Sequence, residues 1–112
     1  MSELEKIEKI KNRSRYKNIR KSIKEQLKND GKISSHYEDL VEDYMKMYLV
    51  KELAYADIQE RGETVEWHNG TQRGFKKNDS VDVILKTNQQ MLKLLDTLGI
   101  KPDVSGADDF EL

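Results

Sequence analysis

Residues able to carry chemistry are few in this chain. It has two histidines and no cysteine, which removes disulfides, thiolate metal sites and cysteine nucleophiles together. His36 falls at a predicted helix start and His68 beside a predicted turn, and the two have no recognisable zinc spacing. Glu38, Asp39, Glu42 and Asp43 gather at the start of one predicted helix without the Glu-x-x-His pattern of carboxylate metal bundles. Acids also suit the positive end of a helix, so this group reads as a solvated face or as a partner for basic side chains of another subunit. Gly70 to Lys77 holds glycines and lysines but not the spacing of a phosphate-binding loop, nor the Ser or Thr that should follow. No catalytic residue, metal or cofactor is assigned on these grounds, and no enzyme is expected.

The strongest chemical signal is cationic. Lys11, Arg13, Arg15, Lys17, Arg20, Lys21 and Lys24 follow one another with no acid between them, interleaved with Asn12, Ser14, Tyr16 and Asn18. Long cationic side chains on one accessible face are what contact with a DNA backbone requires. A solvated helix face has the same composition, so two readings stand for this run. The net charge of −1 conceals the segregation: residues 1–30 hold ten basic and five acidic side chains, whereas residues 31–60 hold three and seven.

Three helices and a hairpin have to position these groups. Ser2 with Glu5 is a capping pair, after which Leu4, Ile7, Ile10, Ile19, Ile23 and Leu27 draw a thin apolar line through one long basic helix ending near Asp30-Gly31. The line is interrupted around Asn12 to Arg15. A second capping pair, Ser35 with Glu38, opens a helix that Gly62 ends after Arg61. Glu63 to Trp67 alternates in polarity, Asn69-Gly70 is a favoured hairpin turn, and Thr71 to Lys76 returns. With that turn Glu66 faces Arg73 and Glu63 faces Lys76. Trp67 and Val65 are expected to lean on the helices or on another subunit, because a two-stranded hairpin is marginal alone. The last helix starts at Asp79 or Ser80 and stops at Gly99, Ile100 and Pro102; Val81, Ile84, Leu85, Met91, Leu92, Leu95 and Leu98 line its buried face. Asn88 interrupts that face, either fixing register or facing water.

With 36% apolar and 37% charged residues, 112 residues make one small domain poor in core material. The middle helix nevertheless carries an apolar arc too wide for one partner: Tyr37, Leu40, Val41, Tyr44, Tyr48, Tyr55 and Ile58 are extended by Met45, Leu49, Leu53 and Ala56. Tyr44, Met45, Tyr48, Leu49 and Leu53, with Val83 and Leu94 off the main stripe of the last helix, are therefore expected to meet a neighbouring copy. The expected fold class is mainly α: residues 1–30 a basic N-terminal helix, 31–102 a helix-hairpin-helix oligomerisation core, and 103–112 an acidic flexible tail. No apolar run approaches the roughly 20 residues of a membrane span, and the charged start lacks a signal peptide's apolar core, so a soluble intracellular protein is expected.

The order of these features resembles the small terminase subunits of tailed bacteriophages. Leu27 and Gly31 precede the helix rich in Tyr and Leu, Gly62 ends it, a hairpin follows, and Asn78 enters the last helix. Leu98-Gly99-Ile100-Lys101-Pro102 is similar to that family's Leu-Gly-Leu-Thr-Pro ending, and Asp108-Asp109-Phe110-Glu111-Leu112 resembles its acidic, Phe-containing terminus. Asp79 departs from the pattern, which commonly has Pro after the Asn. The resemblance covers about residues 27 to 112. It implies a ring-forming homo-oligomer that binds double-stranded viral DNA in the cytoplasm of the infected or lysogenic bacterial host and recruits and regulates the large terminase subunit's ATPase and nuclease, without catalysis of its own. On this reading the basic run holds DNA, and Asp108, Asp109, Phe110 and Leu112 dock the large subunit. A dimeric DNA-binding regulator and a structural helical adaptor without a nucleic-acid role are the alternatives; the first should show a compact helix-turn-helix and two half-sites.

Overall fold

A computed structural model describes residues 2–101, so Asp108, Asp109, Phe110, Leu112 and the expected acidic tail lie outside the described residues. Four helices and one antiparallel hairpin follow in the order α1 (Glu3–Lys11), α2 (Ser14–Asn29), α3 (Ser35–Arg61), β1 (Thr64–Asn69), β2 (Gln72–Lys77) and α4 (Asp79–Leu98).

The expected single basic helix is two. Asn12 closes α1 in helical geometry and Arg13 turns extended, at φ −70° and ψ 141°, before α2 begins. The apolar positions explain the break. Ile10 and Ile19 are nine residues apart, which in a continuous helix would set them roughly 180° apart around the axis. Breaking at Asn12-Arg13 re-aims both segments, so Ile10 from α1 and Ile23 and Leu27 from α2 enter one core with Val41, Tyr44, Met45, Tyr48 and Leu49 of α3. At the start of α1 the Glu5 amide donates to Ser2 Oγ, and that hydroxyl donates to the Glu5 carboxylate, both at 3.2 Å.

Helix α3 is the axis on which the rest packs. The second expected capping box does not form: Ser34, not Ser35, is the cap residue, without a side-chain cap, and the Tyr37 and Glu38 amides donate to its carbonyl. Helix α4 runs back along one side of α3 and contributes Met91 and Leu98 to the core. Its apolar face is wider than α3 covers, so Leu85 and Leu92 are each 59% exposed rather than buried, and Asn88 faces outward. Its end forms as expected: Gly99 is left-handed at φ 71°, its amide donates to the Asp96 carbonyl, and the Ile100 amide donates to that of Leu95. These two bonds are the Schellman pattern.

The hairpin forms in a different register. Asn69 pairs with Gln72 and Trp67 with Gly74, so the loop is Gly70-Thr71; Glu66 faces Phe75, and neither expected acid–base pair is made. A turn over Asn69-Gly70 needs positive φ at both residues. Here only Gly70 has it, at φ 64°, which fits a turn with Gly at its first loop position. Trp67 lies across Gly74, where an added Cβ would meet its ring at 3.0 Å. Trp67 thus leans mainly on the hairpin itself, and Phe75 on the opposite face is 76% exposed.

Asn78 joins the hairpin to the helices. Its amide donates to the Glu63 carbonyl at 2.7 Å, and its side chain caps α4 by accepting from the Ser80 amide, the role expected of Asp79 or Ser80. The same side chain donates to Asp57 and to the Gly62 carbonyl, each at 3.0 Å.

Candidate nucleic-acid interface

Lys17, Lys21, Lys24 and Lys28 recur on α2 at steps of four, three and four. At 100° per residue they fall within an arc of roughly 40° to 60° and span about 16 Å of helix. With Lys11 from the end of α1 and Arg20, they line an open groove of about 560 Å³ over Tyr16, whose acids are Glu25 and Glu42. Among the described residues no carboxylate stands at ion-pair distance from Lys11, Lys17, Lys21, Lys24 or Lys28. Lys28 was not among the residues singled out from the sequence, although the spacing from Lys17 is the signal that finds it.

Arg20 is engaged differently from its neighbours. Its Nη2 and Nε both donate to Glu42 Oε1, at 2.7 and 3.2 Å, so one acid of the expected acidic patch is answered within the chain. The pair ties α2 to α3. Tyr16 packs edge-on against Tyr48, their ring centroids 5.7 Å apart. Burial, with Glu42 beside it, raises the Tyr16 phenol above its ordinary pKa against the opposing charge of Arg20, so it stays a neutral donor in the groove wall.

Arg13 and Arg15 belong to another place. They do not line the lysine groove, and Arg15 lies roughly 200° around α2 from Lys17. Their charges act instead on the Tyr48 phenol, which burial and then Glu52 push upward. The seven expected cations thus divide into five on the groove and two at the α1–α2 joint.

The residues expected to meet a neighbouring copy also divide. Tyr44, Met45, Tyr48 and Leu49 are buried within the chain, because α1 and α2 fold back over α3 and cover the second flank of its wide arc. Leu53 and Leu94 are half-buried against the same core, and Val83 is exposed. The large apolar side chains left exposed include Ile33 and Phe75, and Val50, Tyr55, Leu85 and Leu92 on α3 and α4. His36 and His68 are exposed, and His68 Nε2 stands 3.4 Å from Glu66. Among the described residues no three of His, Asp or Glu converge as metal ligands would, and no helix is long and apolar enough to cross a membrane.

A basic groove, a helix pair joined by a hairpin and a Schellman ending are therefore on one small chain. The sequence model of the family described as phage terminase, small subunit, matches residues 17–105. The chain belongs to this family. The match runs from the first lysine of the α2 stripe past the end of α4, and α1 lies outside it. Comparison with curated proteins and with solved structures finds no match. Membership gives this small terminase subunit a role in packaging phage DNA, within a family of generally non-catalytic subunits that work with DNA and a large subunit.

Proposed function

We propose that this small terminase subunit holds viral DNA through the lysine face of α2, assembles as a closed ring of copies, and passes DNA to the large subunit in the host cytoplasm, regulating its ATPase and nuclease. The observation that carries this reading is the row of Lys17, Lys21, Lys24 and Lys28, unpaired among the described residues and turned away from the core. Four cations at helical spacing match a run of phosphates, and in a ring each weak patch adds through effective concentration. Phe110 and Leu112, with Asp108 and Asp109, supply the contact to the large subunit. Arg20 serves as a strut to Glu42, and Arg13 and Arg15 flank the DNA from the α1–α2 joint.

The purely structural alternative, in which the basic helix pairs with a neighbour's acidic patch, is weakened by Arg20 and Glu42 meeting in a single chain. Duplex DNA retention measured across a salt series tests the proposal. Affinity should fall steeply with salt, and Lys21→Ala and Lys24→Ala should each reduce the magnitude of the log–log slope by about 1. Affinity indifferent to salt would remove the DNA-holding role.

A further inference from the structure

A second, smaller groove sits on the other flank of the α2 lysines. Its volume is about 250 Å³, and its floor is apolar, made by Leu27 and Val41. Ile33 stands at its edge, 72% exposed. Lys24, Lys28 and Lys32 rim it, against one acid, Glu38. An apolar slot under three ammonium groups fits an acidic segment with large apolar side chains.

The chain carries such a segment. Beyond Lys101 there is no lysine or arginine, and Asp108-Asp109-Phe110-Glu111-Leu112 alternates apolar with acidic residues at its last four positions. In an extended strand that alternation sends Phe110 and Leu112 to one side and the flanking acids to the other. The described chain also ends beside the slot, at Lys101. Lys32 Nζ, on the rim, donates to the Leu98 carbonyl at 2.9 Å. Gln26, one residue before Leu27, both donates to the Lys101 carbonyl and accepts from the Lys101 amide, at 3.0 and 3.1 Å. Nine residue steps lead from Lys101 to Phe110, enough for about 30 Å of extended chain.

We propose that this slot seats the chain's own residues 108–112, with Phe110 and Leu112 over Leu27, Val41 and Ile33 and the acids against the three lysines. A tether this short holds the segment at millimolar effective concentration, so modest contacts suffice. Lys24 and Lys28 line both grooves, so a seated segment covers half of the α2 lysine row. This goes beyond the packaging reading: the seat itself needs neither DNA nor a large subunit, and only its competition with DNA, and with large-subunit docking by the same residues, rests on that reading.

The natural absence of cysteine makes the test direct. The chain carrying Glu38→Cys with Ala107→Cys, which leaves Phe110, Leu112 and Ile33 in place, is oxidised and compared with the chain carrying Leu85→Cys with Ala107→Cys, both checked for native circular dichroism. The first pair should form an intrachain disulfide about tenfold faster than the second, reflecting the higher local concentration of a seated segment. Asp108→Lys with Asp109→Lys should abolish the advantage. Equal rates for the two pairs overturn the seat, and disulfides formed only between chains overturn its being the chain's own. Added duplex DNA should slow the first pair; bound DNA that leaves the rate unchanged overturns the competition. A chain that binds no DNA at all leaves the disulfide result standing and fails the packaging reading alone.

Discussion

Asn78 has no solvent exposure, and the groups it bonds come from α3, the Gly62 link, β1's approach and α4. Asp57 is the charged half of this joint. It accepts from Arg61 at 2.7 and 2.8 Å, from Asn78 at 3.0 Å and from Ser80 Oγ at 2.7 Å. Those donors, Arg61 first, hold its carboxyl well below the usual carboxylate range. A depressed folded-state pKa contributes stability that is complete above the ordinary value near 4 and is lost as pH falls from there toward the folded value. Asp57→Asn should therefore melt below the parent chain at pH 6, and the gap should narrow as melting is followed into acid. A gap independent of pH would show the charge to be idle. At Gly74 the requirement is space. Gly74→Ala should lift Trp67, the single tryptophan, off its strand, and its emission should shift to the red. Residue types announced the cations of the groove but not their loyalties. Nothing local to Arg20 shows that Glu42, one helix later, will engage it, and Asn78 reads as a turn residue until Asp57 is placed beside it.

At the scale of elements, helix ends with a glycine were the most legible features. Gly62 and Gly99 stop α3 and α4 where their sequence requires, because few other residues adopt positive φ cheaply. In Gly99→Ala the strain lies in the positive φ, since the atom its Cβ would meet at 2.6 Å is Lys32 Nζ, the movable end of a flexible side chain. It should cost about 1 kcal/mol or more in urea unfolding. A smaller loss would mean that the helix end relaxes out of the left-handed conformation. The break between α1 and α2 was visible only as a gap in an apolar line, and its cause, the half-turn between Ile10 and Ile19, becomes decisive once α3 is there to receive both. The hairpin register escaped for a related reason. Asn69-Gly70 is a good local turn, but the strand root is fixed from outside by the Asn78–Glu63 bond, and Trp67 takes the one cross-strand partner without a side chain.

Across the whole molecule, the apolar excess read from α3 was real in amount but not in destination. Its wide arc needs two coverings, and a sequence alone does not say whether the second comes from α1 and α2 or from another copy. In this fold the chain covers Met45 and Tyr48 itself, and what stays open is the flank with Leu85 and Leu92. If copies close into a ring, this flank is the surface to expect at the contact. Leu85→Lys with Leu92→Lys should lower the native mass at unchanged circular dichroism; an unchanged mass would move the contact elsewhere.

The clasp of Gln26 on Lys101 also sets where tension enters the fold. A pull on the C-terminal segment does not run straight up the axis of α4, because Gln26 grips the Lys101 peptide from both its amide and its carbonyl. Part of the load therefore passes sideways into α2, so a tug at that end is shared by the helix that displays the cations.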